Sequence, residues 1–143
     1  MSATGAFALT IGASLSALAA LAHLACIAIG APAYRVMGAG EGMARAAEAG
    51  KLRPSLVTLA VASALFVAAA CALSGAGVIR PLPFTKPALA LICAVYLGRA
   101  VAFPLLKPAF PGNSDTFWFV SSGICGVLGL VHLYGTWMLW QGP

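Results

Sequence analysis

Residues 87–106 read PALALICAVYLGRAVAFPLL, and the one charge in that run is Arg99. The run is long enough for a helix to cross the roughly 30 Å hydrocarbon core of a bilayer, which takes about 20 residues. Residues 1–34, 54–79 and 116–143 are comparably long and carry no charge at all. An isolated guanidinium inside an apolar segment is costly and marks a functional position by default. Arg99 is therefore the first candidate site residue.

The rest of the chain agrees with a membrane setting. It has 143 residues, of which 62% are hydrophobic and 8% charged. A soluble domain carries about 25% charged residues, so water-facing parts must be short loops. The opening stretch lacks a positively charged leader and reads as a first spanning helix rather than a cleaved signal. The expected fold is all-α: a polytopic membrane protein with four transmembrane helices in an antiparallel bundle, forming a single transmembrane domain over residues 1–143. Helices are expected at roughly 6–30, 55–77, 87–106 and 117–140. Gly30 and Pro32 close the first. Pro54 opens the second and the Ser74–Gly77 segment, SGAG, closes it. Pro81, Pro83 and Pro87 make the link to the third. Pro104, Pro108 and Pro111-Gly112-Asn113 end it.

Charge placement gives an orientation. Residues 31–54 and the 107–116 link hold Arg35, Arg45, Lys51, Arg53 and Lys107, whereas the 78–86 link holds only Arg80 and Lys86. The positive-inside rule puts the first group in the cytoplasm and both termini in the periplasm of a bacterial inner (plasma) membrane. Trp118, Trp137 and Trp140 fall near the ends of the last helix, as interfacial aromatics do. The net charge of +5 comes from residues flanking the spans and is no signal for nucleic acid. Residues 31–54 form an amphipathic cytoplasmic loop. Within it Glu41 and Arg45 suit an i,i+4 pair on a short helix.

Polar and small residues align on helix faces. Gly12, Ser16, Ala19, His23, Cys26 and Gly30 share one face of the first helix. Cys93, Tyr96, Arg99 and Phe103 share one on the third. Trp118, Ser122, Cys125, Gly129, His132 and Thr136 share one on the fourth. Such seams let membrane helices approach closely and hydrogen-bond. Counting 1.5 Å per residue, His23 and Arg99 each lie roughly 10 Å from the cytoplasmic ends of their helices. Tyr96 is a turn deeper, and His132 lies roughly 20 Å from its cytoplasmic end. That mismatch argues against a haem held by both histidines. Arg99 is expected to snorkel to the phosphates, to pair with Glu41 or Glu48 from a folded-in loop, or to meet a ligand anion. The candidate ligand-binding residues are Arg99, His23, Tyr96, Glu41 and His132, with no catalytic residue, metal or cofactor assigned.

Cys26, Cys71, Cys93 and Cys125 fall one per apolar stretch with no C-x-x-C pair, so no zinc or redox signature is present. They read as small packing residues, with a Cys71–Cys93 contact as the alternative.

The segments SGAGVIRPLP (74–83) and VYLGRA (95–100), with His23 and the loop GAGEGMARAAEAG (38–50) upstream, resemble a group of small uncharacterised bacterial four-helix membrane proteins. That resemblance implies a four-helix inner-membrane protein and supplies no catalytic residue. Four spans, a basic first loop and Arg99 after Tyr96 look like the membrane-associated eicosanoid and glutathione enzymes. That second resemblance implies a trimer in which Arg99 would polarise a glutathione sulfur and Arg45 or Arg53 would hold its carboxylates. The loop here, ARAAEAGKLRP, lacks that family's Asn.

With only three carboxylates and no nucleophile–base spacing, the leading expectation is a non-enzymatic helical subunit. It would bind a lipid or hydrophobic small molecule, or support a larger membrane complex, as a homo-oligomer or with a partner. The alternatives are a small transporter or channel using Arg99 and His23, and an enzyme acting on a lipophilic substrate.

Overall fold

The computed structural model describes residues 2–142, and among them the chain is all-helical. Its elements are α1 (Ala3–Ile29), α2 (Ala31–Val36), α3 (Glu41–Glu48), α4 (Leu52–Gly75), α5 (Thr85–Val101), α6 (Phe103–Leu106), a 3₁₀ turn (Lys107–Ala109) and α7 (Asp115–Gln141). Helices α1, α4 and α7 are each long and apolar enough to cross a membrane.

The prolines set where the helices begin. A helix's first N–H groups have no intrahelical acceptor, so a proline there forfeits nothing. Pro54 and Pro87 accordingly lie inside the first turns of α4 and α5. Both helices start a few residues before the positions expected from the sequence. Serines cap the two longest helices. Ser2 Oγ accepts from the Gly5 N–H at 3.2 Å, and Ser114 Oγ from the Phe117 N–H at 3.1 Å.

The expected continuous helix over 87–106 is not found. Helix α5 stops at Val101, and the chain bends by 64° into the Phe103–Ala109 segment. Pro104 has no N–H to return to the preceding turn and restricts Phe103. It is tolerated instead within the first residues of the new helix α6. Only the bent pair taken together is long enough to count as a fourth span.

Packing inverts the arrangement of a water-soluble domain. Large apolar side chains point outward, among them Phe7 at 68% and Leu105 at 83% exposure. Much of the interior is built from Ala13, Ser16, Ala20, Ala62, Ala68, Ala69 and Ala72. Helix α1 packs against α4 and α7, and α5 against α7 and α4. Leucines from one helix fit glycine notches on the next. A Cβ on Gly135 would come within 2.5 Å of Leu9 Cγ, and one on Gly129 within 2.7 Å of Leu97 Cγ. Close backbone approach of this kind gives van der Waals contact where lipid removes the hydrophobic drive between helices.

The first loop is helical and docked. Tyr34 of α2 and Ala44 of α3 bury against Cys26 and Ala31. All four cysteines are free thiols. Cys93 faces α7, with Sγ 3.7 Å from Thr136 Oγ1, which corrects the alternative of a Cys71–Cys93 contact.

Candidate functional site

Arg99 sits in the last turn of α5. Its side chain turns toward α7 rather than outward. Nη2 donates to Ser121 Oγ at 3.1 Å and Nη1 to Ser122 Oγ at a long 3.5 Å. The guanidinium carbon lies 5.3 Å from the centroid of the Trp118 ring, within cation–π range.

The expected ion pair with Glu41 or Glu48 is absent. Both carboxylates are held on the outer side of the loop. Arg35 bonds Glu41 at 3.0 Å and Glu48 at 2.9 Å, and Arg45 bonds Glu41 at 3.2 Å. Hydrogen bonds from Arg35 and Arg45 lower the Glu41 carboxyl to about 2, and those to Glu41 and Glu48 raise the Arg35 guanidinium. A glutamate six residues from Arg35 and four from Arg45 is satisfied locally, so it has no reason to enter the bundle. The third carboxylate, Asp115, pairs with Lys107.

Arg99 and His23 do meet at one cavity of about 600 Å³, together with Arg53 at the start of α4. The His23 Nδ1–H donates to the Ala19 carbonyl at 2.7 Å. This bond fixes the ring and leaves Nε2 without an intrahelical partner. Tyr34 and Thr58 form a polar pair on the same wall, the Thr58 hydroxyl donating to Tyr34 Oη at 3.3 Å. Val57, Val61 and Leu106 supply apolar wall.

Trp118 closes one side. It is 3% exposed and stacks edgewise on Phe110 and Phe117. Its indole Nε1–H is buried with no hydrogen-bond partner among the described residues. An orphaned buried donor costs about 1–3 kcal/mol, so it calls for an explanation. The bend after α5 brings Leu106 and Phe110 over the cavity. Asn113 Nδ2 donates to the Gly38 carbonyl at 2.9 Å, tying that segment to the α2–α3 link.

The other candidate residues lie elsewhere. Tyr96 and His132 are buried deeper in the bundle, with ring centroids 5.2 Å apart. Tyr96 Oη is hydrogen-bonded to Ser16 Oγ at 2.8 Å. His132 donates through Nδ1–H to the Leu128 carbonyl at 2.8 Å, and its Nε2 has no partner. Neither ring lines the cavity. Glu41 lines a separate outer hollow shared with Arg53 but makes no ion pair with it. Of the five candidates, then, the cavity brings together His23 and Arg99.

In the sequence, Trp118 falls both on the inner seam of the last helix and in the interfacial belt, and Arg53 enters as a loop cation and, through the second resemblance, as one of two arginines for glutathione carboxylates. The i,i+4 spacing of Arg53, Val57 and Val61 was the available sign that the arginine shares one exposed face of α4 with two valines, the face that borders the cavity. Among the described residues no three His, Cys, Asp or Glu side chains cluster as a metal site would require. Comparisons with known protein families, with characterised proteins and with solved structures give no match to this chain.

Proposed function

We propose that the protein is a non-enzymatic, multi-pass membrane protein that binds an amphiphile, a lipid or hydrophobic small molecule, in the cavity between His23, Arg53 and Arg99. The carrying observation is the lining of that cavity. It combines His23, Arg53 and Arg99 with apolar side chains, within a chain whose outer surface is itself apolar. Such a lining matches a molecule with a polar head and a hydrocarbon body. Its size falls within the roughly 300–1,000 Å³ usual for ligand pockets.

In this reading α1, α4, the bent α5–α6 pair and α7 form four antiparallel spans. The cavity opens on the cytoplasmic side of a bacterial inner membrane, with both termini periplasmic. Support comes from the Lys and Arg excess on the α2–α3 side over the 78–86 link.

Native mass spectrometry of protein released from mild detergent tests the proposal. A retained amphiphile is expected, and Val61→Trp, which fills the cavity, should displace it. Protein that holds no amphiphile, and whose melting temperature is the same with and without added lipid, would defeat the proposal.

A further inference from the structure

We infer that the molecule bound in this cavity carries a phosphate oxyanion, taken up by Arg99 and Arg53 with His23 and the Trp118 indole beside them. This rests on the cavity being the binding site proposed above.

The charge inventory points to an anion. The chain has three carboxylates against eight lysines and arginines. All three carboxylates are engaged elsewhere, by Arg35, Arg45 and Lys107. Arg53 and Arg99 therefore face the cavity with no ion pair among the described residues. The contacts of Arg99 are two serine hydroxyls and an aromatic face. These orient the guanidinium but do not neutralise it. A charge placed at the edge of an apolar slab without a counter-ion is expensive.

The hydrogen-bond inventory points the same way. The serines occupy one hydrogen on each of Nη1 and Nη2 of Arg99. The Nε–H and the remaining Nη hydrogens have no partner among the described residues. The ligand must bring acceptors and negative charge together. A phosphate does both, and its oxygens match the planar fork of arginine. Val57, Val61 and Leu106 then line the path of an attached hydrocarbon chain.

The phosphate has two possible sources, a lipid headgroup and free phosphate, and two arms separate them. In the first, protein in a neutral detergent is given phosphatidylglycerol against diacylglycerol, which has the same chains and no phosphate, and lipid retention is read by native mass spectrometry. In the second, delipidated protein in a neutral detergent is melted with and without inorganic phosphate. The expected result is preferential retention of phosphatidylglycerol, with Arg99→Gln and Arg53→Gln each reducing the preference about tenfold or more, as loss of a charged hydrogen bond does. Arg53 is exposed at the start of α4, so its variant remains informative if Arg99→Gln fails to fold. A melting shift with inorganic phosphate that both variants lose assigns the soluble source. Equal retention of the two lipids, with no phosphate shift and no effect of either variant, overturns the oxyanion while leaving the amphiphile site standing. Failure of the site itself is read separately, from Val61→Trp changing nothing.

Discussion

The imidazole of His132 occupies the notch left by Gly12, so that a Cβ at position 12 would lie 2.8 Å from Cε1 and 2.9 Å from Nδ1 of the ring. Helices α1 and α7 interlock at this point, and Tyr96 of α5 covers the other side of the ring. Gly12→Ala should destabilise the fold by about 1–3 kcal/mol, the usual penalty for overpacking a tight interior. In a double-mutant cycle with His132→Ala the two losses should fall short of additive by at least about 1 kcal/mol, because removing the ring makes room for the methyl. Reversible unfolding in detergent measures both quantities. Additive losses would mean that the two residues do not share this space.

The Glu41 network has a defined acid limit. Its carboxyl is lowered from 4.5 to about 2 by Arg35 and Arg45. A depressed acid stabilises the folded form above its ordinary value, and that contribution fades as the pH falls toward the folded value. Docking of α3 should therefore hold from neutrality to about pH 4.5 and weaken from there toward about 2. Carboxyl NMR should place the Glu41 midpoint near 2. In Glu41→Gln the acid-dependent part of the α3 amide exchange should vanish.

Gly38 is pinned twice. Its φ of +70° suits a residue without Cβ, and a Cβ there would collide with the Phe117 ring at 2.0 Å. Gly38→Ala should cost at least about 1 kcal/mol from the left-handed backbone alone. Displacement of the ring adds to that and should disturb Trp118, which packs on Phe117. A shift in tryptophan emission accompanying a lower melting temperature is the expected signature.

Asn113→Ala removes the tie between the bent segment and the α2–α3 link. The expected loss is about 1 kcal/mol, with faster hydrogen exchange confined to residues 38–40 and 110–113. Protection that does not change in these segments would show that the tie does not hold the cavity's cover in place.

Much of the scaffold was legible because membrane helices declare themselves locally. Long uncharged runs, first-turn prolines and small-residue seams at three- and four-residue spacing all lie within single segments. The seam through Gly129, His132 and Thr136 faces inward as its spacing required. The direction of Arg99 was not legible, because the serines that orient it stand more than twenty residues away on another helix. The Glu41–Arg45 pair was legible from its spacing, whereas the pair with Arg35 was not. Helices α2 and α3 fold back on each other, which brings Arg35 to the glutamate before any bundle cation can reach it. Trp118 lay both on the inner seam of α7 and at its interfacial end, and its burial follows the seam. What spacing could not show is the bend after α5, which brings Phe110 onto the ring beside Phe117 and Arg99.

The shortness of α5 has a mechanical consequence for the surrounding bilayer. Its 17 residues rise about 25 Å, whereas the 27 residues of α1 or α7 rise about 40 Å. In the four-span arrangement proposed above, a lipid annulus of one thickness does not suit both. Acyl chains beside α5 must compress, or the long helices must tilt to shorten their projection. The deformation is confined to one flank, the flank where Arg99 ends the helix.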